Sequence, residues 1–504
     1  MNKQKRKEPA VKSSYFSIDS YFKAPNDSNK RVKTDSTKEE QCPICNAFIL
    51  VESISMEVHV NSCLDLQEKE SLNNQEKKSL LLRKDLTVIK DSTIAKDSHQ
   101  IQETPKEKKK TCPFYKFMRG TRFVVDAFKY GKIPDCDGYF LTHYHSDHFG
   151  GLGPNWSHGP IYCSQVTANL VKQELRVKPC YVHPLSMDTL LPIPNSTIQV
   201  ALIDANHCPG SVLFLFVIDG KTRHLHTGDF RATPRMCLHP LIRQPQNPPL
   251  HSVYLDTTYM NPQYAFPAQE ECIQAVCDVV SNHNKNKTPS LLEKWIKSPV
   301  KKKKPLIVVG TYTIGKERVF INVAKMLQCK IYAPSKKKRI LLCQQDDQLK
   351  AMLTNNPHEA QVHIVPLGDI RPPAMFEYLR HYQDTFDHLI GFKPTGWTYR
   401  STKTEASDMT LAPLFHIITP PSDRSMRLSP YFEDTNIQLF NVPYSEHSSF
   451  RELASFIASL EIQDIIPTVN LHHIDRMKMY FEKWQEEKRC KRIEVVAHSN
   501  QDHW

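Results

Sequence analysis

The 504-residue chain lacks any apolar run long enough to cross a membrane. Its first residues, Met1 to Lys7, are basic and lack the apolar core of a secretory signal. Both absences argue against membrane insertion and export. They leave a cytosolic or nuclear compartment as the expectation, with Lys3–Lys7 reading as a nuclear signal. Without an export signal, the 14 cysteines read as thiols and metal ligands and not as a disulfide framework. A further absence excludes ATP binding. Gly310 to Lys316 has the spacing of a phosphate-binding loop, but Glu317 stands where a Ser or Thr must ligate magnesium, and its charge opposes phosphate. What the chain has in excess is positive charge. Sixty-six Lys and Arg against 54 Asp and Glu give a net +12, which suits an anionic partner without requiring one.

The densest chemistry lies between Leu141 and Gly151, where His143, His145, Asp147 and His148 follow the apolar run Tyr139 to Leu141. A helix would gather only the i, i+3 and i+4 members, so a loop at a strand end is expected to converge all four. Neutral imidazoles with a carboxylate suit zinc or a similar first-row ion. No thiolate closes the set, so a coordination position stays open for water, as hydrolysis requires.

A second metal pattern precedes it. Cys42 and Cys45 are followed after thirteen residues by His59 and then Cys63, a closed tetrahedral set of the structural kind. The apolar residues around it (Phe48, Ile49, Leu50, Ile54 and Val58) are too few to fold without the ion. Residues 39–70 resemble the ubiquitin-binding zinc fingers of DNA-repair proteins, with Asn61 where many of those fingers carry Asp; nucleic-acid contact is the alternative role. Residues 1–38 form a polar tail expected to be disordered. Within it Ile18, Tyr21 and Phe22 resemble the peptide that docks on the DNA sliding clamp, although Tyr15 stands in place of its usual Gln. Residues 71–110 read as a solvated linker.

From Thr111 the strands become frequent: Phe123–Phe128, Gly138–Thr142, Ile198–Ile203, Ser211–Ile218 and Arg223–His226, with a hairpin turn at Asp219-Gly220. Several end in a His or Asp loop, which places those side chains along one sheet edge. Cys208 and His226 read as packing residues. The ordered motifs HxHxDH, His207 and Asp229 resemble the metallo-β-lactamase fold, an αββα sandwich with metals at one edge. Tyr254 to Tyr259 and Pro443 to Phe450 resemble its β-CASP branch, which cleaves nucleic acids. Asp204 to Gly210, His226 to Arg231 and Gly310 to Glu317 resemble that branch's DNA interstrand cross-link repair group.

The resemblance implies an α/β chain with sandwich parts at 111–255 and 406–504 and an α/β β-CASP insert at 256–405. It implies one zinc on His143, His145 and His207, and a second on Asp147, His148 and His447, with Asp229 bridging. Asp256 would support the site by orienting His447. Asp147, Asp229, Asp256 and His447 would carry the catalysis. Val469 stands where RNA-cutting relatives carry His, which implies DNA as the substrate. The implied activity is a 5′→3′ exonuclease that prefers a 5′-phosphate, acting in the nucleus.

A 5′-exonuclease needs a second anion pocket near the metals, for which Lys393, Thr395, Ser445 and Ser448 are the candidates. The bland role for these serines is capping the helix expected near Phe450, which is the preferred role for Ser449. The basic runs Ser298–Pro305 and Lys336–Arg339 read either as phosphate-contacting or as solvated loops. Competing functions are a metallo-hydrolase of RNA, small esters or lactams, and a non-catalytic repair scaffold. On this reading Cys42→Ser should release one zinc and unfold residues 39–70 yet leave hydrolysis of naked DNA nearly unchanged, since a long polar linker separates the two units. Zinc stoichiometry measured beside turnover checks this, and a parallel loss of turnover would refute the separation.

Overall fold

The computed structural model describes residues 39–41, 48–50, 111–264, 266–286, 303–396, 412–419, 426–493, 495–496 and 503–504. Cys42, Cys45, His59 and Cys63 lie outside these residues, as does the Ile18, Tyr21 and Phe22 motif. Of the finger region, Glu39–Gln41 and Phe48–Leu50 are described, and they pair antiparallel across the first two cysteines.

Two sheets face each other in the first unit. One is a four-stranded parallel sheet of Phe123–Val125, Gly138–Phe140, Ile161–Cys163 and Val182–Pro184. The other has six strands in the order Ile465–Pro467, Ser252–Leu255, Thr222–His226, Val212–Ile218, Ile198–Asp204 and Leu191–Pro192. Its first three strands run parallel and the remainder antiparallel. Alternation along the strands builds both sides of this sheet. Val200, Leu202, Val212, Phe214 and Phe216 point inward onto Phe123, Phe140 and Tyr162 of the smaller sheet. Ala201, Ile203, Leu213 and Leu215 point outward onto the helices Phe450–Ser459 and Ile474–Lys491 through Leu453, Phe456, Tyr480 and Trp484. On the far side, Tyr139, Leu141 and Ile161 pack on Ala168, Leu170 and Val171 of the helix Gln165–Gln173. This is the expected αββα sandwich. Asp219 and Gly220 both have positive φ, 50° and 69°, as the two-residue hairpin turn demands.

The second unit is a seven-stranded sheet centred on Leu306–Thr311, parallel except at one edge. The expected boundary at residue 405 needs correction. Pro430–Glu433 and Ile437–Val442 pair with each other, and the second extends this sheet beside Leu389–Pro394. Between Leu389–Pro394 and Pro430–Glu433 in sequence, Leu414–Ile418 packs on the first unit's helices. The chain therefore packs a helix on the sandwich before its final return near Tyr444. The basic run Lys336–Arg339 is also corrected. It lies within the helix Ser335–Leu342, whose Ile340 packs in the sandwich's outer core.

That return is tied down by Arg231. Its guanidinium donates to Glu452 at 3.0 and 2.9 Å, and to the carbonyls of Ser445 and Pro267, each at 2.8 Å. Glu452 also accepts from the Ser449 amide at 2.7 Å, completing a capping box that starts the helix at Phe450. The Arg231 and Glu452 side chains are only 2% and 3% exposed. Removing one partner would leave a buried charge alone. Arg231→Met should therefore lower stability by about 3–5 kcal/mol in chemical denaturation; a loss under about 1 kcal/mol, the worth of an exposed pair, would refute this account.

Candidate metal centre and cleft

Most of the site residues lie just beyond strand ends of the sandwich, whereas His447 follows Ile437–Val442 of the second sheet. His143 follows Gly138–Phe140, His207 follows Ile198–Asp204, Asp229 follows Thr222–His226 and Asp256 follows Ser252–Leu255. The expectation of a plain loop for the HxHxDH motif is corrected in part. Ser146–Phe149 is a single helical turn that carries Asp147 and His148, while His145 precedes it in extended backbone and His143 lies between that turn and the strand Gly138–Phe140. The structure gathers three overlapping groups: His143, His145, His207 and Asp229; Asp147, His148 and Asp229; and Asp229, Asp256 and His447. Asp229 is common to all three. It sits among the histidines as a bridging residue would, and His447 stands nearer to Asp256 than to the Asp147–His148 pair.

The hydrogen bonds behind the rings decide where each lone pair points. His145 Nε2 lies 3.1 Å from the Ile314 carbonyl and His207 Nδ1 lies 2.8 Å from the Glu446 carbonyl. A carbonyl only accepts, so these nitrogens carry the protons. Thr142 Oγ1 donates to Asp126 at 2.8 Å, which leaves it to accept from His143 Nδ1 at 2.9 Å. The opposite nitrogens of all three rings are therefore lone pairs. They stand close together, His143 Nε2 at 2.9 Å and His207 Nε2 at 3.2 Å from His145 Nδ1. Bare lone pairs at such distances repel. A tetrahedral ion with bonds of about 2.0–2.1 Å separates its donors by roughly 3.3 Å, so this donor set fits a metal cation. Burial pushes the pKa values of His143, His145 and His207 down, and for His143 and His207 the neighbouring histidines add to it. These rings are neutral, as ligands must be.

The other half is held by acids. His148 Nδ1 donates to Asp126 at 2.7 Å, and its Nε2 lies 3.3 Å from Asp147 and 3.2 Å from Asp229. Burial alone would lower the pKa of His148, but Asp229, Asp147 and Asp126 outweigh it and raise it well above the usual value. His447 Nδ1 donates to Asp256 at 2.8 Å. Burial opposes charge there too, and Asp256 outweighs it, so the His447 pKa is raised. Asp126 mirrors this, with burial pushing its pKa up and His148 pulling it down to about 2. Asp126 was not singled out in the sequence, although it follows an apolar strand as Asp229 and Asp256 do.

The ligands open into a cleft of about 480 Å³. Lys116, Lys129, Lys316 and Lys336 line it, with Tyr115, Tyr144, Tyr259 and Tyr312 among them. Thr395, Ser445 and Val469 line it as expected; Ser448 and Lys393 do not. The Ser448 hydroxyl is buried between the Phe230 carbonyl and the Ala232 amide, each 2.9 Å away. Lys393 is a strand residue paired with Asn441. The Ser445 hydroxyl bonds the His447 amide and carbonyl, both at 3.0 Å, and so shapes the ligand's own turn. His226 packs as expected, stacked on Tyr254 at 5.4 Å and accepting from the Gly228 amide at 3.0 Å. Cys208 is buried.

The two halves should answer pH differently. A raised pKa keeps His148 and His447 protonated to higher pH, and a proton on Nε2 must leave before that atom can face an ion. In stepwise zinc titration, affinity at the half built on Asp147, His148 and His447 should climb with pH through and above neutrality. The half built on His143, His145 and His207 should keep its ion to lower pH. Identical pH profiles for both ions would refute the distinction.

Comparison with known proteins agrees with this geometry. The family model described as "DNA repair metallo-beta-lactamase" matches residues 347–473. The DNA cross-link repair protein pso2/snm1 of Schizosaccharomyces pombe is 37% identical over 472 residues, covering 90% of this chain and 80% of that protein. The DNA cross-link repair 1A protein of Homo sapiens is 37% identical over 75% of this chain, which spans 33% of its length. The 5′ exonuclease Apollo of Danio rerio is 28% identical, with 70% of this chain and 52% of that protein covered. The chain therefore belongs to the metallo-β-lactamase/β-CASP family of DNA cross-link repair proteins.

Proposed function

We propose that the protein is a metal-dependent nuclease of DNA cross-link repair that hydrolyses phosphodiester bonds from a 5′ end, working in the nucleus on one or two zinc ions. The observation that carries this reading is the donor set, in which five imidazoles have their rear nitrogens fixed by oxygen acceptors and their front nitrogens turned toward Asp229. A bound divalent ion would supply a water nucleophile of lowered pKa and neutralise the anionic phosphodiester. His143, His145 and His207 would hold one ion, and Asp147, His148 and His447 the second, with Asp229 shared.

The chain's own groups supply position and charge. Asp256 and Asp126 fix the orientation of His447 and His148 and keep their front nitrogens in place. Of the lysines lining the cleft, Lys116, Lys129 and Lys336 suit the phosphates of a strand, and its tyrosines suit bases by stacking. Thr395 and Ser445 lie on the wall beside His447, where a terminal phosphate could be held. Val469 supports DNA over RNA because it brings an apolar side chain, and not an imidazole, to the wall; its carbonyl accepts from Thr257 at 2.6 Å. The 5′ polarity is supported by the similarity to Apollo, which is named a 5′ exonuclease. A lactamase or esterase reading has the same metal donors but no use for a cation-lined cleft built from two units.

A timed digest of 5′- and 3′-labelled single-stranded DNA, beside RNA and a chromogenic lactam, tests the proposal. Release of the 5′ label first, on DNA and faster from a 5′-phosphate than from a 5′-hydroxyl, is expected. Release of the 3′ label first, or equal turnover of RNA or the lactam, would overturn it. In the same assay, His145→Ala and Asp147→Asn should lose more than about 100-fold in activity with an unchanged unfolding midpoint, because each removes a donor and leaves the sheet cores untouched.

A further inference from the structure

The loop from Gly310 to Lys316 has the spacing of a phosphate site without its magnesium-binding hydroxyl, and it is held by more contacts than a connecting turn needs. It leaves the central strand of the seven-stranded sheet and runs straight to the rear of the metal ligands. Gly315 has φ 107°, and a β-carbon there would lie 2.8 Å from Glu446 Oε2. The next residue, Lys316, is not glycine and still has φ 69°. Left-handed backbone at such a residue is strained by about 1–2 kcal/mol and persists only where the surroundings impose it. Lys316 also precedes the helix Glu317–Leu327, where the helix dipole disfavours a cation. Local preference explains neither feature.

What imposes them is Glu446. Its carboxylate accepts from the Lys316 amide at 2.7 Å and pairs with the Lys316 ammonium at 3.1 Å, so one residue occupies both oxygens. The two side chains are 6% and 5% exposed. The ammonium also sits over the rings of Tyr312 and Tyr444, at 5.5 and 5.3 Å. Lys337 clamps the loop from the other side through the carbonyls of Tyr312 and Thr313, at 2.8 and 3.0 Å. Between these anchors the Ile314 carbonyl meets His145 Nε2, and the Glu446 carbonyl meets His207 Nδ1. Each carbonyl fixes the tautomer and tilt of one ring.

We propose that Lys316 is a positioning residue of the metal centre. Its ion pair with Glu446 holds the carbonyls of Ile314 and Glu446 against the rear of His145 and His207, so that the second unit sets the first unit's affinity for its ion. The inference rests on the metal reading of the donor set. Lys316 lines the cleft, but its charge is already matched by Glu446 and its side chain is nearly enclosed, which separates it from a phosphate-gripping lysine.

The test uses the full-length protein, with zinc affinity measured by chelator competition and cobalt(II) substituted for its absorption spectrum. Lys316→Met should weaken the tighter ion by about 10–100-fold, the usual effect of losing an outer partner of a metal ligand, and should alter the cobalt spectrum. Excess zinc should restore kcat on DNA with KM near the parent's value, and Lys316→Arg should recover most of the affinity. Glu446→Gln keeps an acceptor for the Lys316 amide and removes the charge, so it should weaken zinc in the same direction even if Lys316→Met does not fold. Parent-like zinc affinity and cobalt spectra in folded variants would overturn the inference. So would a raised KM that excess zinc leaves unchanged, which would assign Lys316 to DNA. A parent protein that binds no divalent ion would instead overturn the metal reading itself.

Discussion

One carboxylate oxygen governs this structure. Asp229 Oδ2 lies 3.2 Å from His148 Nε2, 3.7 Å from His143 Nε2, and 4.0 Å from both His207 Nε2 and His447 Nε2. These histidines come from three separate loops, and one of those loops is reached only after the chain has built its whole second unit. An oxygen common to so many donors tolerates little displacement, because a metal site shifted by a fraction of an ångström loses bond geometry at every partner. The two facing sheets answer that demand. Their strands deliver the donors from short turns at one edge, and the apolar layers on both sides of each sheet leave those turns little freedom.

Two buried ion pairs extend the same logic to the late-arriving loop. Arg231, two residues beyond Asp229, binds the Ser445 carbonyl and Glu452, on either side of His447. Glu446, adjacent to that histidine, binds Lys316. Buried pairs of this kind are poor sources of net stability, since desolvation offsets most of their attraction. Their value here is registry. Each links backbone that carries a metal donor to backbone from a distant part of the chain, and an apolar contact would permit sliding where a paired charge does not.

The sequence was legible where the chemistry requires a particular side chain. The metal donors are His and Asp because few residues can bind such an ion, so their spacing and strand-end setting stood out, and the structure brings them together. The alternating apolar strands were readable for the same reason: period two is a side-chain property. The rear supports were not readable. Ile314 and Glu446 act through carbonyls, which every residue possesses, and only the fold puts them behind a ring. Ser448 and Lys393 were misplaced because being near a motif in sequence does not fix direction: Ser448 faces Phe230 and Ala232, and Lys393 is held within the strand Leu389–Pro394, while Thr395, just past that strand's end, and Ser445 line the cleft. The boundary at 405 failed for a topological reason. A parallel sheet accepts a strand from any later part of the chain, and nothing local marks Ile437–Val442 as belonging to it.

The junction between the two units decides how a strand of DNA could enter. Ile314, Ile340 and Cys343 of the second unit are 0%, 2% and 5% exposed, and they belong to the same apolar cluster as Tyr144, Trp156, Ala168 and Val171 of the first. Asn169 and Gln173 add hydrogen bonds to the carbonyls of Cys343 and Arg339, at 3.0 and 3.3 Å. A hinge that opened here would have to expose a packed core and separate the Lys316–Glu446 pair, and it would strip His145 of its rear acceptor in the same movement. Opening for substrate would thus disassemble the metal centre that substrate needs. The cleft lies between the units while the joint behind it is packed, so a strand bound as proposed would reach Asp229 along the lysine-lined wall without the units parting.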